Sequence, residues 1–457
     1  MKQLVLIILF ATVIYSCVKD EGEIYTTLRS PVEEVTVKSN KGSYLYLLAR
    51  EDSAITILED KAIVEGEFID VTPDSATVVI QHGHCWSRHD SPTLNDFHSE
   101  KGAWSPNDPD FTSNIGELEI ATVYYFRSYL ITKKDTGYNP RVEKFTTPML
   151  ENVWRERRNI FTVGRQDAVV FTIGKKAYIG TGHDGTELKE DFWEYDFDND
   201  SWSQITIVPG GKRTEAVGFA INGYGYIGTG LTYSGIKNDF WRYNPDANEW
   251  DRISDFTGGI RKNAIGFAIR EKGYVGTGEF GDDHILQNDF WAYNPNDEGT
   301  PKPPWQKMQD FAGGKRRNIV GFAIGDKGYV GTGDDANGGN YFDDFWRYDP
   351  INDAWTPRSN FEGGVRTNAT GFAINNTGYI STGKDTLEVF HRDLWKYNPF
   401  EDNWTKKADF GGTRRINAVG FSLVFDTIAR GYIGTGFDID NEPKKDLWEY
   451  LPDALND

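Results

Sequence analysis

From residue 165 onward, apolar runs and polar turns alternate along the chain on a repeating schedule. Each unit opens on an Arg and runs through an apolar stretch such as Ala216-Val217-Gly218-Phe219-Ala220-Ile221. It then turns, reads Tyr-[Ile/Val]-[Gly/Ser]-Thr-Gly, loops to Asp-[Phe/Leu]-Trp-x-Tyr, and in five of six copies ends at a second Trp. Short runs of β-branched and aromatic residues bounded by Gly, Asn and Asp predict strands, about four per unit. The Tyr of the phrase falls at Tyr178, Tyr226, Tyr274, Tyr329, Tyr379 and Tyr432, in steps of 48, 48, 55, 50 and 53 residues. Four strands per unit at that period describe a propeller blade better than a solenoid rung. A phosphate-loop reading of the glycines fails, because no Lys-Ser/Thr pair or helix follows any copy.

These units resemble the Kelch repeat, the blade of the galactose oxidase central domain, over about residues 152–451. The resemblance implies an all-β fold, a six-bladed Kelch β-propeller, with strands a to d running from axis to rim. It also implies that the b–c and d–a loops share the functional face. Trp202, Trp250, Trp305, Trp355 and Trp404 end five blades, and the sixth copy stops after Tyr450 with no such Trp. Trp154 lies 48 residues before Trp202, in phase. The stretch around Val153 to Arg157 is therefore expected to supply the outer strand of the last blade and close the ring, removing exposed sheet edges.

Ahead of the repeats, "AIVEGEFID", "SATVVIQHGHCWS", "TVYYFRSYLIT" and "RVEKFTT" predict the strands of a small β-sandwich. From Ile55 to Pro148 these phrases resemble fibronectin type III-like domains of Bacteroidetes surface lipoproteins. The chain start, "MKQLVLIILFATVIYSC", has an apolar run too short for a permanent membrane span and resembles a bacterial lipoprotein signal peptide ending at Cys17. Lys19-Asp20-Glu21 resembles the acidic export signal that sends such lipoproteins to the outer face of the outer membrane. The expected organisation is thus a signal peptide over 1–16, lipidated Cys17 and a tether over 17–31, a sandwich over 32–149 and the propeller over 150–457.

Charge narrows the partners. With 49 basic and 69 acidic side chains the formal net charge is -20, which opposes attraction to nucleic acid or anionic lipid. The membrane is expected only as the seat of a lipid anchor. Cys17 and Cys85 are the only cysteines, so acylation of Cys17 leaves no intramolecular disulfide, and Cys85 reads as a small buried hydrophobe. His82, His84, His89 and His98 read as turn and surface residues rather than metal ligands.

Repeated residues build blades, so a binding site is expected where the copies differ. Directly after the Gly-Thr-Gly phrase stand His183, Leu231, Glu279, Asp334, Lys384 and Phe437, with Asp184, Tyr233, Phe280, Tyr341 and Phe390 nearby. Carboxylates beside exposed aromatics suit a carbohydrate surface, where rings stack on sugars and acids accept hydroxyl hydrogens. The repeated Arg165, Arg213, Arg261, Arg316, Arg366 and Arg415 are read first as partners of the repeated Asp, from Asp191 to Asp446. The rival reading is a ring that binds carboxylates.

The galactose oxidase chemistry implied by the resemblance needs a Cys cross-linked to a Tyr and His ligands for copper. The repeats hold no Cys, and His183, His284 and His391 sit at unequal offsets, so no cofactor or metal is expected. No general acid and base stand out for an isomerase such as the Kelch-type sialic acid mutarotase, and no catalytic residue is assigned. The sequence thus reads as a surface lipoprotein whose propeller binds a glycan or glycoconjugate. The alternatives are a protein-interaction propeller or a sugar isomerase.

Overall fold

The computed structural model describes strands at 15–18, 24–28, 47–48, 55–57 and 62–68, and then residues 79–452, with breaks at 106–109, 117, 119–121, 134–135, 148–151, 161–162, 337–338 and 426–427. Most of the expected signal peptide, residues 1–14, lies outside the described residues. The chain divides into two compact units, Met1–Leu150 and Glu151–Asp457.

In the first unit, Ala62–Phe68 pairs on one side with Asp110–Ile115 and on the other with Ile55–Ile57 and Leu47–Leu48. Ile24–Leu28 extends this sheet and Tyr15–Val18 pairs in turn with it, so part of the stretch read as an unpatterned tether is in strands. A second sheet is built on Val123–Thr132, flanked by Val79–Ser87, Thr136–Tyr138 and Glu143–Thr146. Ala62, Val64 and Ile115 of the first sheet share one core with Trp86, Tyr124, Phe126 and Phe145 of the second, the arrangement of a sandwich. Cys85 is fully buried, its thiol donating to the Pro92 carbonyl at 3.4 Å, and burial pushes its pKa up to about 11. Two of the four histidines differ from their surface reading. His82 and His84 are buried, bonded to the Gly102 carbonyl and the Ser113 hydroxyl, and both pack against Phe111. The alternating "HGH" places both side chains on the same, inward face of the strand.

Among its described residues the second unit contains six four-stranded antiparallel sheets. Blade two shows the plan: strand a, Val217–Ile221, then b, Tyr224–Gly228, c, Phe240–Asn244, and d, Glu249–Ile253. Successive a strands pack around a central channel, and the first, Val169–Ile173, meets the last, Val419–Phe425. Closure occurs as the Trp spacing predicts. Val153–Arg157 pairs with Leu447–Leu451 as the fourth strand of blade six, with Trp154 opposite Tyr450.

Both sets of repeated Trp hold the ring. Each blade-ending Trp donates its indole N–H to a carbonyl that follows the d strand of the preceding blade, as Trp250 does to Thr206 at 3.1 Å and Trp154 to Ala408 at 3.2 Å. Strand c supplies the ring it packs on, for example Phe345 against Trp404 at 5.0 Å. The other Trp donates to the repeated Asp two residues earlier, as Trp241 does to Asp239 at 2.8 Å.

The Gly-Thr-Gly phrase now has a physical cause at each position. A Cβ on Gly180 would lie 2.3 Å from the Phe192 ring. Blade five has Ser381 there, and its strand c begins with the smaller Leu394 instead of Phe. The Thr of every copy sits at φ between 58° and 66°, which aims its carbonyl at the repeated Arg. The last Gly, such as Gly182 at φ 91°, approaches the Gln166 carbonyl so closely that a Cβ would fall 2.5 Å from it. Its N–H donates to the next blade's Arg carbonyl.

Candidate binding site at the pore mouth

The b–c loops are not plain loops. Each folds back as a hairpin that pairs with the residues at and after its own blade's Arg, as Leu231–Thr232 pairs with Arg213–Thr214 and with Gly235–Ile236. The b–c and d–a segments are thereby joined on one face, around the mouth of a channel of about 510 Å3. Gly and Ala from the a strands line much of its wall, including Gly218, Ala220, Gly266 and Ala268.

The six repeated Arg lie beneath this face. All are at most 1% exposed, and each forms a two-pronged pair with its blade's Asp, such as Arg213 with Asp239 through two bonds of 2.8 Å. Each also donates to the Thr carbonyl of the phrase, Arg261 to Thr277 at 2.7 Å. Burial works against the charge of Asp239, yet the bonds from Arg213 hold its carboxyl below the usual range. These Arg are engaged scaffold, and none presents a guanidinium for a ligand carboxylate.

The other sequence candidates separate into four groups. Glu279 and Asp334 are buried, at 0% and 5% exposure, and are not open acceptors for sugar hydroxyls. His183 is half-buried and accepts from the Gly185 N–H, while Asp184 caps the hairpin turn through Thr186 and Glu187 and pairs with Lys189 at 2.6 Å. Tyr233 and Phe280 are exposed, and the Tyr233 hydroxyl accepts from the Leu188 N–H of the neighbouring blade. Tyr341, Lys384, Phe390 and Phe437 are half-buried at the hairpins. Among the described residues no group of three or more His, Cys, Asp and Glu is arranged to hold a metal.

Several residues absent from the sequence reading assemble at the mouth. Two positions after each repeated Arg stand Asp167, Glu215, Asn263, Asn318, Asn368 and Asn417, all at φ between 52° and 57°. Each backbone N–H donates to the equivalent carbonyl of the preceding blade, at 3.1 to 3.4 Å, so the six make a closed ring. The left-handed conformation suits Asn and Asp, which explains five of the six. Glu215 is the exception. Aligning the copies on their Arg exposes this column, since only there do a Glu and an Asp interrupt a run of Asn.

One position after the Arg, Lys262 and Arg317 bracket Glu279. Arg317 donates to Glu279 at 2.5 Å and to Asp334 at 2.9 Å; Lys262 lies 3.7 Å from Glu279 and 3.2 Å from Glu215. Charges therefore alternate across blades two to four: Glu215, Lys262, Glu279, Arg317, Asp334. Burial pushes the Glu279 carboxyl up, but bonds from Arg317 and His284 outweigh it and hold the pKa below its usual range. At Asp167 the balance is reversed. Burial, joined by the charge of Glu215, pushes its carboxyl up to about 8 against the Asn417 bond.

Beside the mouth, between blades four and five, Arg317, Asn318, Tyr341, Thr367, Asn368 and Lys384 line a cleft of about 160 Å3. Asn318 and Asn368 line both cleft and channel, so the two spaces are continuous. Thr367 donates to Asp334 at 2.6 Å, and Tyr341 and Lys384 both bond Glu388, at 3.1 and 2.5 Å.

No family model matches the chain, and no curated protein matches it. Among solved structures, one titled "Structure of YjhT" aligns over 62% of this chain and 94% of its own, with a TM-score of 0.53 and 16% identity. The fold is a Kelch-like β-propeller. At that identity the likeness extends to the fold alone, and the pore-mouth residues stand on their own chemistry.

Proposed function

We propose that the propeller is a carbohydrate-binding module, with one sugar unit seated in the cleft beside the pore mouth. The observation that carries this reading is the cleft's lining: the aromatic residue Tyr341, the amides of Asn318 and Asn368, the Thr367 hydroxyl, the Asp334 carboxylate and the ion-paired cations Arg317 and Lys384, around a space of about 160 Å3. That volume suits a single pyranose ring, and the lining offers both donors and acceptors for hydroxyls. A glycan array followed by calorimetry tests it, with Kd expected on the order of 10 µM to 1 mM for so shallow a contact. Absence of any sugar binding, together with capture of a protein partner through the same face, would replace it with the protein-interaction reading.

The proposal extends to location: a lipid anchor at Cys17 holding the module on the outer membrane and facing the exterior. Cys17→Ser should then abolish fatty-acid labelling and release the protein from membranes. Continued labelling would overturn the anchor.

A second reading, a sugar isomerase, draws support from Asp167. A carboxyl with a pKa of about 8 beside Glu215 supplies a proton donor next to a carboxylate at neutral pH. Anomer exchange followed by NMR would favour this reading if it were accelerated by the protein and lost in Asp167→Asn.

A further inference from the structure

We infer that Asp334 is a positioning residue: it commits the neutral polar groups of the cleft to accept hydrogen bonds, so that a sugar is held there through hydroxyls that donate. This inference rests on the carbohydrate reading and adds the direction of the hydrogen bonds and the residue that sets it. Asp334 is buried and its own carboxylate is fully engaged. Its Oδ1 accepts from Arg317 Nε at 2.9 Å and from the Ala336 N–H at 3.1 Å. Its Oδ2 accepts from Asn318 Nδ2 at 3.0 Å and from the Thr367 hydroxyl of the next blade at 2.6 Å. Two-way backbone pairing with Arg317, at 3.0 and 3.1 Å, fixes the residue that makes these four bonds.

A carboxylate only accepts, so each neighbour must turn a hydrogen towards it. Asn318 gives its amide nitrogen, which leaves its Oδ1 on the other side, and among the described residues nothing donates to that oxygen. Thr367 has one hydroxyl hydrogen. Asp334 takes it at 2.6 Å, although Asn368 Oδ1 lies 3.2 Å from the same hydroxyl oxygen. Asn368 in turn spends an amide hydrogen on Asn417. The Thr367 and Asn368 oxygens therefore face one another as two acceptors with no hydrogen between them, a pair that one ligand O–H can serve. Asn318, Thr367 and Asn368 all line the cleft. Arg317 and Lys384, one from each blade, are the cationic donors in the same lining, so a hydroxyl that gives its hydrogen to these oxygens can accept from a cation.

The test is calorimetry on the intact protein with the methyl glycosides of glucose, galactose and mannose, and with the deoxy and deoxyfluoro analogues of those that bind. Fluorine accepts weakly and cannot donate. At a hydroxyl seated in the cleft, both analogues should bind roughly tenfold more weakly than the parent, and alike. In Asp334→Asn the new amide nitrogen turns to Asn318 and Thr367, which can reverse, rather than to Arg317 and the Ala336 N–H, which cannot. The two neutral groups then donate, and the ratio of parent to fluoro affinity should fall towards one, with the melting temperature measured alongside. A residue that only held the blades together would weaken parent and analogue by the same factor. Thr367→Val, which keeps the side-chain shape, should lower the same ratio and serves where Asp334→Asn does not fold. A fluoro sugar that matches its parent at every position, or an unchanged ratio in Asp334→Asn, or in Thr367→Val if that variant alone folds, would overturn the inference while leaving sugar binding in place. Failure of all three glycosides to bind would overturn the carbohydrate reading on which it rests.

Discussion

The Gly436 N–H donates to the Arg165 carbonyl at 2.8 Å, joining the last blade to the first through a bond that the other five blade junctions repeat. The residue before Gly436 turns its carbonyl back to Arg415, so a single Thr-Gly pair serves its own blade and the next one. Gly436 has φ 94°, and a Cβ there would lie 2.8 Å from the Ile416 carbonyl, which cannot move without disturbing the hairpin pairing. Gly436→Ala should therefore lower stability by about 2 kcal/mol or more through strain and lost bonding. Gly116→Ala, where a Cβ meets nothing within 4 Å, is the control. Equal melting temperatures for the two variants would show that the junction does not depend on this glycine.

The Arg–Asp pairs should behave as stabilising units rather than as binding groups. Arg261 is 1% exposed and makes bonds of 2.7 and 3.0 Å to Asp289. Its removal leaves a carboxylate and the Thr277 carbonyl uncompensated. Arg261→Ala should lose about 3–5 kcal/mol in urea unfolding, as breaking one partner of a buried pair does. Sugar binding measured on whatever fraction remains folded should be retained. A stable variant that had lost binding would restore the carboxylate-ring reading.

These two cases show what a sequence can disclose. The ring, its closure by Trp154 and the Arg–Asp pairing were all legible because each recurs six times, and repetition reports packing. The pore mouth was not. Glu279 and Asp334 read as open acids because their partners, Lys262 and Arg317, lie 17 residues upstream and, for the bond from Arg317 to Glu279, on the neighbouring blade. The hairpin pairing brings Lys262 to Glu279 and Arg317 to Asp334 within a blade, and the packing of neighbouring blades brings Arg317 to Glu279. The hairpins were likewise hidden, since paired segments of two residues leave no periodicity to read.

Asp167 predicts an unusual pH dependence. Its folded pKa of about 8 lies above the roughly 3.9 of an unfolded Asp, so the folded state keeps a proton that the unfolded state has released. Its contribution to stability is therefore greatest below pH ~4, declines as pH rises towards ~8, and is constant above that. Asp167→Asn removes this dependence and should stabilise the protein at neutral pH by up to about 4 kcal/mol, about 1.4 kcal/mol for each pH unit above ~3.9. Urea melts at pH 5, 7 and 9 decide the matter: the gap between variant and wild type should widen from pH 5 to 7 and by a further, smaller step from 7 to 9, levelling only above about pH 8. A gap independent of pH would mean that Asp167 titrates normally.

The cleft reading stands or falls on Tyr341. Its ring borders the space between blades four and five, and its hydroxyl donates to Glu388, which also holds Lys384. Two contributions can be separated. If the ring stacks on a sugar face, Tyr341→Ala should weaken binding about five- to tenfold, roughly 1 to 1.4 kcal/mol, while Tyr341→Phe should stay within about threefold. If the hydroxyl matters instead, by fixing Glu388 and through it Lys384, Phe and Ala should be equally harmful. Neither change should shift the melting temperature much, because the ring lies at the hairpin and outside the blade core. Trp346→Ala in the same blade should shift it strongly, since Trp346 bonds Asp344 at 2.7 Å and packs on Phe311. Unaltered sugar affinity in both Tyr341 variants would move the site away from this cleft, towards hairpins such as those of the exposed Tyr233 and Phe280.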